Sequence, residues 1–103
     1  MKSSNKEREF EAKAAEKLAA MSHPLRLHMV RELANGEMRN VKSFVDETGV
    51  SQPAVSQHLA RLRTGGVVEM TKEGTRVYYR VEDPIVRQII EAIFPGTLKK
   101  EEE

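Results

Sequence analysis

Gln52, Ser56, Gln57 and Arg61 put amide, hydroxyl and guanidinium groups at short intervals along one stretch of chain, GVSQPAVSQHLARLR at residues 49–63. Amides and hydroxyls near the front of a helix suit hydrogen bonding to base edges, and an arginine suits guanine or phosphate. Ser51, Pro53, Ala54 and His58 complete the surface that such a helix would present. Ser51 also has the chemistry of an N-cap, and the N–H groups beside it could hold a phosphate. His58 lies next to the apolar seam, so packing and a phosphate contact are both open to it. Lys72 and Arg76, on either side of Gly74, add a second basic point for backbone or minor-groove contact.

These groups need a scaffold, and the hydrophobic spacing supplies one. Val55, Leu59 and Leu62 recur at i, i+4 and i+7, which makes 51–63 a helix with one buried side. Gly65-Gly66 ends it near Thr64. Upstream, 6–21 is an Ala/Glu/Lys-rich helix with a narrow seam of Phe10, Ala14, Leu18 and Met21. Ser22 is placed to cap a second helix with Pro24 in its first turn and Leu25, Met29, Val30 and Leu33 inward. Asn40 caps a short third helix carrying Val41, Phe44 and Val45. Downstream, 67–71 and 76–81 alternate as a hairpin joined by Lys72-Glu73-Gly74-Thr75. Asp83 and Pro84 open a last helix with a wide stripe of Ile85, Val86, Ile89, Ile90, Ile93 and Phe94.

The expected fold is mainly α with a small β-hairpin, an α+β winged helix-turn-helix in the order α-α-α-α-β-β-α. One domain spans 6–96, between a disordered tail at 1–5 and a charged tail at 97–103. A chain of 103 residues buries only about 60–65% of its unfolded surface, so association would help it. The stripe of the last helix and the seam of the first match as a two-fold interface through Phe10, Ala14, Leu18, Ile85, Ile89, Ile90 and Ile93.

The net charge of +1 says little, but its distribution says more. Arg61, Arg63, Lys72, Arg76 and Arg80 face only Glu69 and Glu73 in the middle of the chain, whereas acids collect at both ends. Zero cysteine excludes a disulfide framework, thiolate metal ligation and a thiol switch. His23 and His28 lie at i, i+5 and do not share a helix face, so no metal site and no cofactor are expected. No nucleophile–base pair or glycine-rich phosphate loop suggests an enzyme. No apolar run approaches the ~20 residues that cross a bilayer, and a cytoplasmic location is expected.

The runs SHPLRLHMVREL, GVSQPAVSQHLARLRTGGVVE and EGTRVYYRVEDPIV, in this order, resemble the ArsR/SmtB group of bacterial winged-helix repressors over roughly residues 14 to 94. The resemblance implies a homodimer that binds a palindromic operator in double-stranded DNA and blocks transcription until an inducer binds. It places the recognition helix at 51–63, the wing at 72–76 and the dimer interface on the first and last helices. The chain departs from the group in its sensor sites. Glu37-Met38-Arg39-Asn40-Val41 stands where metal-sensing members carry Cys-x-Cys. Asp83 matches one ligand of another branch, but Ile85 and Val86 lie where an imidazole is wanted. Arg31 falls at or near the first cysteine of the redox branch, and the region around Phe94 has no second one. The inducer is therefore unknown from sequence. A winged-helix module acting through protein contact or nonspecific nucleic-acid binding stands as the alternative.

Overall fold

The computed structural model describes residues 4–98 as five helices and one hairpin: α1 Asn5–Met21, α2 Pro24–Ala34, α3 Val41–Thr48, α4 Gln52–Thr64, β1 Glu69–Glu73, β2 Arg76–Arg80 and α5 Pro84–Ile93. Local chemistry explains most of the boundaries. Asn40 accepts from the Ser43 N–H and starts α3, Ser51 accepts from Ala54 and starts α4, and Asp83 accepts from Ile85 and starts α5. Three of the helices carry Pro in the first turn, where no donor is needed.

Several expected boundaries move, each for a local reason. Ser4 and Glu7 form a reciprocal capping box, so α1 begins at Asn5 and the expected tail over 1–5 gives way at Ser4. Residues 1–3 lie outside the described residues. Ser22 is not the cap of α2 but the C-cap of α1. Pro24 forces its predecessor into the extended region, so His23 (φ −163°, ψ 134°) becomes the N-cap, with its side chain accepting from Leu25. Val67 and Val68, expected in the first strand, are instead buried as the link between α4 and the hairpin. Pairing of Lys72 with Val77 and Glu73 with Arg76 shortens the expected four-residue connection to Gly74-Thr75. Gly74 takes φ +65°, the value a two-residue loop opening on glycine requires. At the other end, Thr97 and Leu98 turn back, with the Leu98 N–H bonded to Glu91. The expected tail therefore starts no earlier than 99, and 99–103 lie outside the described residues.

Helix α2 is central, with Met29, Val30, Leu33 and Ala34 fully buried. Phe44 from α3, Val55, Leu59 and Leu62 from α4, and Val86 and Ile90 from α5 close the core around it. Arg39 and Tyr79 exchange backbone hydrogen bonds of 3.0 and 2.8 Å, an isolated antiparallel bridge that ties the loop before α3 to the hairpin. Gly65 is required for space, since a Cβ there would stand 2.6 Å from the Ala20 Cβ and 3.3 Å from the Glu16 carbonyl oxygen. Gly65→Ala should cost about 1–3 kcal/mol of stability through forced separation of α1 and α4. Thermal unfolding checks this, and an unchanged midpoint would mean the two helices are not in close contact.

Candidate nucleic-acid interface and dimer face

Helix α4 buries Val55, Leu59 and Leu62 and turns the opposite side to solvent. At 100° per residue, Pro53, Gln57, Ala60 and Thr64 stand farthest from the core, and all four are exposed. Gln52 and Ser56 flank this face on one side and Ala54 on the other. The structure thus gathers Gln52, Pro53, Ala54, Ser56 and Gln57 on one outward surface. Lys72 and Arg76 are exposed beside the tip of the hairpin that follows.

Two of the expected contact residues have other engagements. Arg61 lies toward α1, with Nη1 3.5 Å from a Glu16 carboxylate oxygen and its side chain 35% exposed. His58 lies toward α2, where its Nδ1 is 3.2 Å from Arg26 Nη1 and its ring centroid 4.5 Å from that of His23. Burial, followed by the nearby His23 and Arg26, holds the His58 imidazole below the ordinary histidine range.

Arg63 was not among the expected contacts. It is exposed, its side chain has no hydrogen bond or ion pair among the described residues, and it projects on the Gln52/Ser56 side of α4. Its i+7 spacing from Ser56 was the available signal. Arg80, counted in the basic middle of the chain, is neutralised: it meets Glu69, Glu82 and the Thr71 hydroxyl. The unpaired positive charge of this surface comes down to Arg63, Lys72 and Arg76.

A second surface is apolar. The wide stripe of α5 separates into two lines. Val86 and Ile90 are fully buried in the protomer and Phe94 packs against the same core, while Ile85 (55%) and Ile93 (51%) are exposed. Ile90 is therefore corrected from an interface residue to a core residue, because it points at α2 and not at solvent. Ile85 and Ile89 face Phe10, Ala14 and Leu18 across a groove of about 300 Å³ between α1 and α5. Phe10 is 67% and Leu18 53% exposed, and among the first fifteen residues of α1 none is buried. The Lys17–Asp83 ion pair, 2.8 Å, pins the two helices together at one end of this groove. The Lys17 ammonium holds the Asp83 carboxyl below its usual range, against the effect of burial.

The positions that the resemblance aligns with sensor sites carry other interactions. Arg31 stands 4.3 Å from the Phe94 ring centroid, a cation–π contact joining α2 to α5. Arg39 stands 4.1 Å from the Phe44 ring and reaches Glu32, Ser43 and Glu47. Ligand atoms of His28, Glu32 and Glu47 come within 4.8 Å of one another. That is the one grouping among the described residues with metal-ligand geometry, and the Arg39 guanidinium already bonds both carboxylates. Burial opposes ionisation of Glu47, but hydrogen bonds from His28 and Arg39 prevail and hold its carboxyl below the usual range.

A helical core that presents one helix of a helix-turn-helix outward, followed by a two-stranded wing, defines a winged helix-turn-helix DNA-binding protein. The family described as "Bacterial regulatory protein, arsR family" matches residues 23–70. The transcriptional repressor PagR of Bacillus anthracis is 37% identical over 81 residues, which is 79% of this chain and 81% of that protein. The PagR crystal structure superposes with a TM-score of 0.77 at 34% identity, covering 84% of this chain and 98% of that one. A homodimeric winged helix-turn-helix DNA-binding domain from Mycobacterium bovis, described as a possible ArsR-family regulator, superposes with a TM-score of 0.78 at 28% identity, covering 97% and 90%. The chain belongs to the arsR family of transcriptional regulators. No helix among the described residues is long and apolar enough to cross a membrane.

Proposed function

We propose that this protein is a homodimeric repressor that binds a palindromic operator through α4 and the wing. The observation that carries the reading is the pairing of two unpartnered surfaces on one protomer. One is a helix face of short polar side chains beside Arg63, Lys72 and Arg76. The other is the α1/α5 groove, rimmed by Phe10, Leu18 and Ile85, all more than half exposed. A second copy seated on the groove buries these side chains and, by two-fold symmetry, sets two α4 helices about 34 Å apart, one turn of DNA. Occupation of a site overlapping a promoter then excludes polymerase. The chain acts in the compartment that holds the DNA, which agrees with a cytoplasmic protein. What releases it is not written in the family's sensor positions, which carry the Arg31–Phe94 and Arg39 contacts.

Gln52 and Gln57 are the proposed base readers, since an amide pairs with adenine through both of its polar atoms. Gln57→Ala should lower discrimination between the preferred site and random DNA by about 1–3 kcal/mol with the fold intact. Competition binding against random duplex measures it. Equal weakening on both DNAs would remove Gln57 from the readers. The alternative of purely nonspecific binding predicts no discrimination at all and a steep collapse with salt.

A further inference from the structure

The hairpin that carries Lys72 and Arg76 is bonded to the loop between α2 and α3, and that loop rests on Arg39. Between the C-cap of α2 at Asn35 and the N-cap of α3 at Asn40, Gly36, Glu37 and Met38 are exposed. Arg39 differs, with its side chain only 14% exposed. Its guanidinium holds three residues on two helices. Nε donates to the Ser43 hydroxyl at 2.6 Å, Nη2 to the Ser43 carbonyl oxygen at 3.2 Å and to Glu47 at 3.0 Å, and Nη1 to Glu32 of α2 at 3.4 Å. The guanidinium carbon also stands 4.1 Å from the Phe44 ring centroid. The backbone of this same residue makes both hydrogen bonds to Tyr79 of β2. Side chain and main chain of Arg39 thus join α2, α3 and the wing.

We propose that Arg39 is the positioning residue that sets the wing against α4, so that Lys72 and Arg76 reach the DNA backbone while α4 lies in the major groove. The inference rests on the DNA-binding reading above and deepens it. Arg39 touches no DNA in this arrangement; it acts through the wing. The guanidinium fixes the loop to α2 and α3, and the backbone bridge passes that position to β2. Phe44 of α3 shares one core with Val55 and Leu59 of α4, so the wing is referred to the recognition helix through the same joint. The lever is long enough to matter. Arg76 stands three residues before Tyr79 in β2, about 10 Å along the strand. A tilt of about 15° at the bridge displaces it by about 3 Å, and a hydrogen bond to a phosphate does not survive such a shift. Lysine cannot replace this residue, because an ammonium is a point charge without the planar fork that spans Ser43, Glu32 and Glu47.

Phosphate contacts do not depend on sequence, so the test needs no operator. The full chain is titrated with a random-sequence duplex of about 30 base pairs over a range of salt concentrations, at a temperature where circular dichroism shows each variant folded. Lys72→Gln together with Arg76→Gln should weaken binding by about tenfold or more at physiological salt and lower the salt slope by about 2 per bound protomer. Arg39→Gln should lower the slope by a similar amount, although its guanidinium is engaged inside the protein. All three changes together should cost less than about threefold beyond Arg39→Gln alone, because the two wing cations are then already out of reach. Arg39→Lys should behave as Arg39→Gln does, and it carries the same cycle if the glutamine variant does not fold. A loss of folded protein alone would scale every background equally and leave the slope unchanged. Additive losses, or a wild-type slope in Arg39→Lys, overturn the positioning role. Wild-type binding that the wing-tip pair does not affect also overturns it, and leaves the α4 reading standing. No binding of wild type to any duplex overturns both.

Discussion

Replacing Ile85 by aspartate is expected to leave a folded monomer that binds a two-half-site DNA about 10²–10⁴-fold more weakly than the parent protein. Ile85 is 55% exposed in the protomer. A carboxylate there meets water in the monomer and costs the fold little. In the dimer the same carboxylate is pressed against apolar Phe10 and Leu18 of the groove, and its desolvation is not recovered. The loss in DNA binding is the loss of linkage: each half-site then holds its protomer alone. Ile90→Asp is the wrong variant for this purpose, because Ile90 is fully buried and its replacement unfolds the protomer. Sedimentation together with a DNA titration reads both effects. An Ile85→Asp protein that remains a dimer would move the interface off the α1/α5 groove.

Phe44→Ala is expected to lower stability by about 3–5 kcal/mol, with a fall in Tm of more than about 12 °C. Phe44 is the largest fully buried side chain, the one buried residue of α3, and the floor on which the Arg39 guanidinium rests. Removing the ring opens a cavity between α3 and α4 and also frees Arg39, whose backbone bonds anchor the wing through Tyr79. A marginal domain of this size has only about 5–15 kcal/mol to lose. DNA binding by this variant should therefore fall in step with the folded fraction and recover on cooling. A cost below about 1.5 kcal/mol, measured by urea unfolding, would mean that α3 is not packed on α4 through this residue.

Much of this was legible in the residues. Cap chemistry located Asn40, Ser51 and Asp83, and the i, i+4, i+7 seam of Val55, Leu59 and Leu62 gave the buried side of α4 and hence its outward face. What escaped depended on partners distant in sequence. Arg61 reads as a free cation until Glu16, 45 positions away, is brought beside it. His58 reads as an isolated imidazole until α2 delivers His23 and Arg26, and its pKa follows from that crossing. Ile90 and Ile89 are equivalent in a run of isoleucines. Only the rotation of α5 on α2 sends one inward and leaves the other along the groove. Arg63 was within reach of spacing arguments, since it continues the Gln52/Ser56 side of the helix.

Helix α4 is expected to read DNA sequence as one of a symmetric pair. Selection of bound fragments from a random duplex library, followed by footprinting of the enriched DNA, tests it most directly. One enriched inverted repeat is expected, protected as two half-sites centred about 34 Å apart, with Gln57→Ala reducing the enrichment. A selected pool with no shared motif, or a single asymmetric protected segment bound by one protomer, would contradict it.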